Sequence, residues 1–449
     1  MASSSIPAVD LIDSQKAPRE TALPAGALGG TAYLAARYGL GVLVSVGNML
    51  VMTWWLGPHI YGLFVTSISL VAFLATVSRA GVDTYLVRQK TSPEPAMYET
   101  ANAIILIASF ALLIIAAAIT PLLARWYGEK EFVAPYLVLL ATIPISGLAG
   151  VPMACLERDL SFRKIAAIEL IGQSLGFVAA ISLAWAKAGI WAAVAGQLVW
   201  QIVTLIATFR AAGLKLAPRL HHAHWKPMCS FGLGMTLSLR TWQLRTLVNP
   251  LLVGKLAGTD AVAFVALAIR IAEALGTIRL AAGRIAIAAL ARLQAERERF
   301  RSALERALFL QVITLGPLLS LFALAGPVVV RHLMGARWIP SLRVYPFVAT
   351  GVLVNSIYNL QASALFVMEK QWIVMRAYTA HVAILGAGAW LLLPRCGIAG
   401  YGLAELAACG AYAAIHRGIA GSLRLSCRKA AFCAAAFTAI LFLPRILTH

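Results

Sequence analysis

Five arginines fall inside stretches of this chain that are otherwise apolar: Arg37, Arg240, Arg245, Arg270 and Arg279. A guanidinium carries a permanent charge and a planar fork of donors, so in apolar surroundings it grips the oxygens of a carboxylate or a phosphate. Asn48 and Asn249 stand in the same stretches as Arg37 and Arg245, and Glu169, Glu273, Glu405 and His381 are the remaining ionisable groups deep within them. These types support anion binding by the arginines and amides, and proton or ion exchange at the carboxylates and the imidazole.

Helical spacing sorts these residues into faces. Arg37 and Asn48 are eleven apart and share a face, as do Arg245 and Asn249 at four apart, whereas Arg240 lies opposite Asn249. Arg270, Glu273, Thr277 and Arg284 fall on one face and Arg279 on the other. By helical rise Arg270 is about 15 Å deep and Arg245 and Arg240 are too far in to reach water easily, while Arg37, roughly 10 Å in, is shallow enough to snorkel. Two readings of Arg270 stay open: a local ion pair with Glu273 at i, i+3, or a cation held for an anionic ligand. Asn249-Pro250 interrupts a backbone hydrogen bond and predicts a kink.

The elements that position these groups are membrane helices. Apolar residues make up 60% of the 449, charged residues 12%, and the mean hydropathy is +0.81, which leaves no room for a water-facing globular surface. Stretches long enough to cross a bilayer lie near 30–56, 60–80, 99–123, 135–155, 165–186 and 190–209, and again near 231–252, 260–284, 307–330, 345–366, 373–394 and 399–416. A last run, 430–443, is short enough to be either a thirteenth span or an interfacial helix. The two sets look like one unit written twice. Asn48 stands nine residues before Gly57 and Asn249 nine before Gly258; Gly128 answers to Gly335, Glu157 to Glu369 and Gly189 to Gly397, at offsets of 201, 207, 212 and 208. The offset of 212 would also pair Glu169 with His381. Six crossings per copy start both copies on the same side, which predicts parallel repeats. The expected plan is all-α and polytopic: a disordered cytoplasmic tail over 1–29, a six-helix lobe over 30–210, a linker over 211–230, a second six-helix lobe over 231–420 and an apolar segment over 421–449.

A formal charge of +20 raises the question of nucleic acid, and the distribution answers it. With the N-terminus inside, cytoplasmic segments hold 24 of the 38 basic residues and outer loops 8, the bias that orients a membrane protein. No nucleic-acid partner is implied. The inner run ARLQAERERFRSALERA reads as an amphipathic helix on an anionic phospholipid leaflet. His221, His222 and His224 sit in a basic linker without a nearby carboxylate in sequence, and six scattered cysteines imply neither a metal nor a disulfide framework. There is no G-x-x-x-x-G-K-[ST] loop for ATP, and the outer loops are too short for a catalytic domain. No cofactor and no enzymatic activity are expected.

LGPHIYGLF at 56–64, RDLSFRKIAAIELIGQSLG at 158–176, AGIWAAVAGQLV at 188–199 and GARWIPSLRVYPFVA in the second half resemble the bacterial oligosaccharide flippases, also called polysaccharide transporters. This family shares a superfamily with the multidrug and toxin extrusion proteins and the lipid II flippases. The resemblance implies two six-helix lobes around a central cavity, alternating access in the bacterial inner membrane, and undecaprenyl-diphosphate-linked oligosaccharide as substrate, with a polysaccharide polymerase and assembly proteins as partners. On that footing the substrate-binding candidates are Arg270, Arg245, Arg37, Arg240, Asn48 and Asn249, the diphosphate falling to Arg270, and the ion-coupling candidates are Glu169, His381, Glu273 and Glu405. A multidrug antiporter of the same superfamily would be expected to carry more in-span carboxylates than arginines. A membrane polymerase or ligase would need a larger outer loop.

Overall fold

A computed structural model describes residues 25–89, 92–277, 296–423 and 425–447, and at 25–40, 42, 43, 45, 232–240, 422 and 445–447 it describes the backbone alone. The backbone forms two compact units, one ending at Leu43 and one running from Val44 onward. The contacts and cavities described below belong to the second. Every regular element among the described residues is helical. Eight helical stretches there are long and apolar enough to cross a bilayer.

The first copy comprises α1 (Ala25–Ser78), α2 (Val82–Val87), α3 (Pro95–Tyr127), α4 (Val133–Leu140), α5 (Thr142–Arg158), α6 (Phe162–Trp185) and α7 (Ile190–Ala212). The helix begins at Ala25, inside the segment expected to be a tail. The second copy comprises α8 (His222–Arg240), α9 (Arg245–Val248), α10 (Gly254–Ala257), α11 (Thr259–Leu275), α12 (Arg297–Leu333), α13 (Tyr345–Val367), α14 (Gln371–Cys396), α15 (Ile398–Cys409) and α16 (Ala413–Leu423), followed by α17 (Arg428–Leu447). Counting α1 on either side of its break, and α4–α5, α8–α10 and α15–α16 as one crossing each, both copies supply six.

The copies repeat their backbone exceptions. LGPHIYG is not a loop: α1 turns from its first crossing to its second at Gly57 alone (φ 73°, ψ 169°), and the second copy does the same at Gly258 (φ 87°, ψ 171°). That region of φ/ψ is essentially restricted to glycine, which accounts for both residues. Gly189 (φ 58°, ψ −130°) and Gly397 (φ 57°, ψ −145°) form a second matched pair, each immediately before α7 or α15. Between these lies a correction. The turn that closes with Ser161 N–H donating to Leu156 O is matched by Lys370 N–H donating to Leu365 O, with Leu160 and Glu369 both at positive φ. The register there is therefore 209, not the 212 drawn from Glu157 and Glu369. Glu169 corresponds to Tyr378, and His381 to Gly172, so the expected Glu169–His381 equivalence falls.

The kink at Asn249-Pro250 is broader than one proline predicts. Thr241–Leu244 is a 3-10 turn and Asn249–Val253 a π-helical stretch, so the seventh crossing is irregular through its middle. The run from Arg297 to Ala307 is not a separate surface helix: it is the opening of α12, with Phe300 and Leu304 buried and Glu305 accepting from Ser426 N–H at 2.8 Å. The part of that run before Glu296 lies outside the described residues. The C-terminal run forms α17, which packs along α12 and α13, with Phe437 against Gly316 and Phe442 edge-on to Phe347.

Candidate functional site

Two cavities flank the second half of α1. The first, about 180 Å³, is walled by α1, α6 and α7 and includes Asn48, Gln173, Gln197 and Trp200. The second, about 220 Å³, is walled by α1, α9, α11, α13 and α15 and includes Arg245, Asn249, Glu273, Asn355 and Glu405. Ile68 and Arg270 line both. The repeat-related amides Asn48 and Asn249 thus fall on different cavities, one on each.

Charge is concentrated in the second cavity. Arg245, brought inward by the irregular seventh crossing, lies 3.2 Å from Glu273 and 3.7 Å from Glu405, with its guanidinium 4.5 Å above the Trp242 ring. Glu405 is 9% exposed, and its second oxygen is 3.9 Å from Nε2 of the fully buried His381. His381 is stacked on Tyr412, whose hydroxyl accepts a hydrogen bond from Asn355 at 3.2 Å. A buried carboxylate needs a partner of this kind, because desolvation of an uncompensated charge in an apolar setting is strongly unfavourable.

Arg270 does not form the i, i+3 ion pair with Glu273. Glu273 is engaged by Arg245 from the neighbouring crossing, and Arg270 is exposed to the cavities with no ion-pair partner among the described residues. Tyr61, a buried residue, lines the first cavity with it. Asn249 is buried, its amide donating to Val262 O at 3.3 Å while its oxygen finds no partner among the described residues.

The structure brings Arg245, Arg270, Asn249, Glu273, Glu405 and His381 together and places Asn48 across α1 from them. Glu169 stands on the exposed side of α6 and lines neither cavity. The side chains of Arg37 and Arg240, and all of Arg279 and Arg284, lie outside the described residues. Sequence reasoning passed over Gln173, Gln197, Trp200, Trp242 and Tyr412. The two glutamines were findable, as isolated amides inside apolar stretches; the aromatics read as ordinary core.

At the end of the bundle that holds Gly57 and Gly258, the copies are tied across their seam. The Trp338 indole donates to Thr53 O at 2.9 Å and the Arg337 guanidinium to Thr53 O and Trp54 O. In the opposite direction, from the first copy to the second, the Trp126 indole donates to Leu251 O at 3.0 Å, with Lys255 over its ring. His59 and Asp260, one just past each glycine, approach to 3.3 Å. Thr53 and Trp54 belong to the last turn before Gly57, where carbonyls lack helical partners, so these donors act as caps supplied by the other copy.

Comparison with known proteins places the architecture. The fold matches a lipid II flippase MurJ in its inward closed conformation, at TM-score 0.78 and 13% identity over 93% of each chain. It also matches an inward-facing multidrug resistance MATE transporter, at TM-score 0.64 and 16% identity over 89% of this chain and 96% of the other. In sequence, the succinoglycan biosynthesis transport protein ExoT of Rhizobium meliloti is 30% identical over 167 residues, 36% of this chain and a third (33%) of the relative's length. Residues 51–343 match the family described as Polysaccharide biosynthesis protein, well over half of the chain. A multi-pass helical membrane protein with this match is a member of the polysaccharide biosynthesis protein family, and its fold is shared with a lipid II flippase and a multidrug transporter.

Proposed function

We propose that this chain is a flippase that carries undecaprenyl-diphosphate-linked oligosaccharide across the bacterial inner membrane, with its N-terminus in the cytoplasm, and delivers it for assembly of a surface polysaccharide. The observation that carries the reading is Arg270: a guanidinium on the wall common to two cavities, with Glu273 already taken by Arg245. A diphosphate resists transfer through hydrocarbon more than any other part of a lipid-linked sugar, and an unneutralised guanidinium offers it a forked, charge-assisted contact. The family match and the succinoglycan-transport relative support a glycan cargo.

Alternating access supplies the rest. The seam at the Gly57–Gly258 end is tied shut in this state, and the positive-inside bias assigns that end to the outer surface. Arg245, Glu273, Glu405 and His381 form the coupling group, because a proton or cation taken up by a carboxylate would loosen its hold on Arg245 and alter the charge that the cavity presents. Once outside, the glycan passes to a polymerase and its assembly partners.

The test is glycan export in a strain deleted for its own flippase. Wild type should restore export. Arg270→Ala should abolish it at normal membrane abundance, Arg270→Lys should restore it in part, since it keeps the charge and loses the fork, and Arg270→Ala with Glu273→Gln should stay inactive. Full export by Arg270→Ala would remove this residue from the mechanism. Drug efflux by wild type without glycan export would favour the multidrug-antiporter reading that the MATE-like fold also permits.

A further inference from the structure

The first cavity has a chemistry that diphosphate binding does not use. Two helices each present an amide and an aromatic ring on one face, one turn apart: Gln173 and Phe177 on α6, Gln197 and Trp200 on α7. Asn48 adds a third amide from α1. The wall is rigidly built. A Cβ at Gly176 would lie 2.7 Å from Gly196 O, and one at Gly196 would lie 2.7 Å from the Ala180 side chain, so α6 and α7 touch backbone to backbone. Asn48 Oδ1 and Gln173 Oε1 are buried there with no hydrogen-bond partner among the described residues.

Unpaired amide oxygens beside aromatic rings define a ligand class. An apolar molecule would leave those oxygens unsatisfied, which is unfavourable in a water-poor site. A polyhydroxylated ring satisfies them, because its hydroxyls donate to amide oxygens and accept from amide nitrogens while its C–H face lies on an aromatic ring. Arg270 is the one charged residue among the described residues that line this cavity, and the diphosphate would engage it, so the recess suits a neutral sugar and not an acidic one. Because Arg270 also faces the second cavity, one ligand can set an anionic group at Arg270 and a neutral ring in the recess.

We infer that the recess formed by Asn48, Gln173, Phe177, Gln197 and Trp200 is a subsite for a neutral sugar, the one joined directly to the diphosphate. This rests on the proposed flippase reading and adds to it that the first copy selects cargo by its first sugar. Glycan preference is then a property of α6 and α7 and is separable from the grip on the diphosphate.

The experiment measures binding of four probes to purified protein in nanodiscs: undecaprenyl diphosphate alone, and the same lipid bearing glucose, galactose or N-acetylglucosamine. The readout is the ratio of glycosylated to bare-lipid affinity. Wild type should favour at least one glycosylated lipid by about tenfold, the scale of one or two satisfied hydrogen bonds. Gln173→Met with Gln197→Met, which keeps side-chain volume, should bring the ratio to about one. Phe177→Leu, which removes stacking and no amide, should lower it in part. Arg270→Ala should weaken all four probes together and leave the ratio in place. If wild type binds bare lipid through Arg270 and no sugar adds affinity, or if the double glutamine variant keeps the wild-type ratio, the sugar subsite is wrong and the flippase reading stands. If Arg270→Ala binds all four lipids like wild type, the diphosphate assignment falls, whatever the ratio shows.

Discussion

The two cavities come from copies that share a backbone plan and differ in side-chain chemistry. The cavity beside the first copy is lined by neutral amides and rings apart from the shared Arg270; that of the second also holds two carboxylates and Arg245 and is backed by His381. Yet both copies turn at a glycine of the same conformation, at Gly57 and Gly258, and enter their sixth crossing after another, at Gly189 and Gly397. Duplication preserved what the chain needs in order to fold as a hairpin series. It left the cavity-facing positions free to diverge, and the register correction makes this concrete: the position of His381 in the second copy is occupied in the first by Gly172, where a Cβ would meet Trp200 and Thr204 at 2.8 Å.

The sharpest way to break the comparison is to remove the charge that organises the second cavity. Arg245→Ala should lower stability by about 3–5 kcal/mol, since it leaves Glu405 and Glu273 without their counterion, whereas Gln173→Met in the first cavity should change it by less than about 1.5 kcal/mol. Thermal unfolding of the purified protein in detergent measures both. Equal effects would mean that the second cavity is not held by its ion pairs. Adding Glu405→Gln and Glu273→Gln to Arg245→Ala should recover most of the loss.

Next in size are the glycines, where the copies should behave alike. Ala at Gly57 or at Gly258 forces a side chain into a glycine-only conformation, at about 1–3 kcal/mol. Gly57→Ala should be the worse of the two, because its Cβ would lie 3.1 Å from the Arg337 guanidinium while nothing lies within 4 Å at Gly258. A larger loss at Gly258 in the same unfolding assay would show that the two turns are not equivalent.

The smallest effects belong to the seam. Trp126→Phe and Trp338→Phe each remove one hydrogen bond, about 0.5–1.5 kcal/mol. Each should therefore raise, by a few-fold, the labelling of a cysteine placed at Ser69, on the wall of the second cavity, by an impermeant reagent added from the Gly57–Gly258 side. A large effect at one tryptophan alone would mean that a single contact holds the seam.

The sequence disclosed what depends on periodicity and on residues that are rare in their setting. Hydropathy picked out the long apolar helices, eight of which among the described residues are long and apolar enough to cross a bilayer, and the glycine series revealed the repeat. Charged residues in apolar stretches led to Arg245, Arg270, Glu273 and Glu405, because a charge in such surroundings must be used. Pairings were not legible. Whether Glu273 meets Arg270, three residues away, or Arg245, on the preceding crossing, depends on how the seventh crossing is wound, and the π-helical stretch after Asn249 has no sequence period of its own. Trp200 and Trp242 were hidden for a simpler reason, since an aromatic beside a cavity and one in a core have the same neighbours in sequence.

Thr53, Trp54 and Leu251 contribute to the seam through main-chain oxygens, while Trp126, Arg337 and Trp338 contribute through side chains. The acceptors are therefore indifferent to which amino acid bears them. In a saturation-mutagenesis screen for variants whose Gly57–Gly258 end stands open, hits at the seam should collect at 126, 337 and 338 and be sparse at 53, 54 and 251. A genetic map of this gate would light up only one member of each contacting pair.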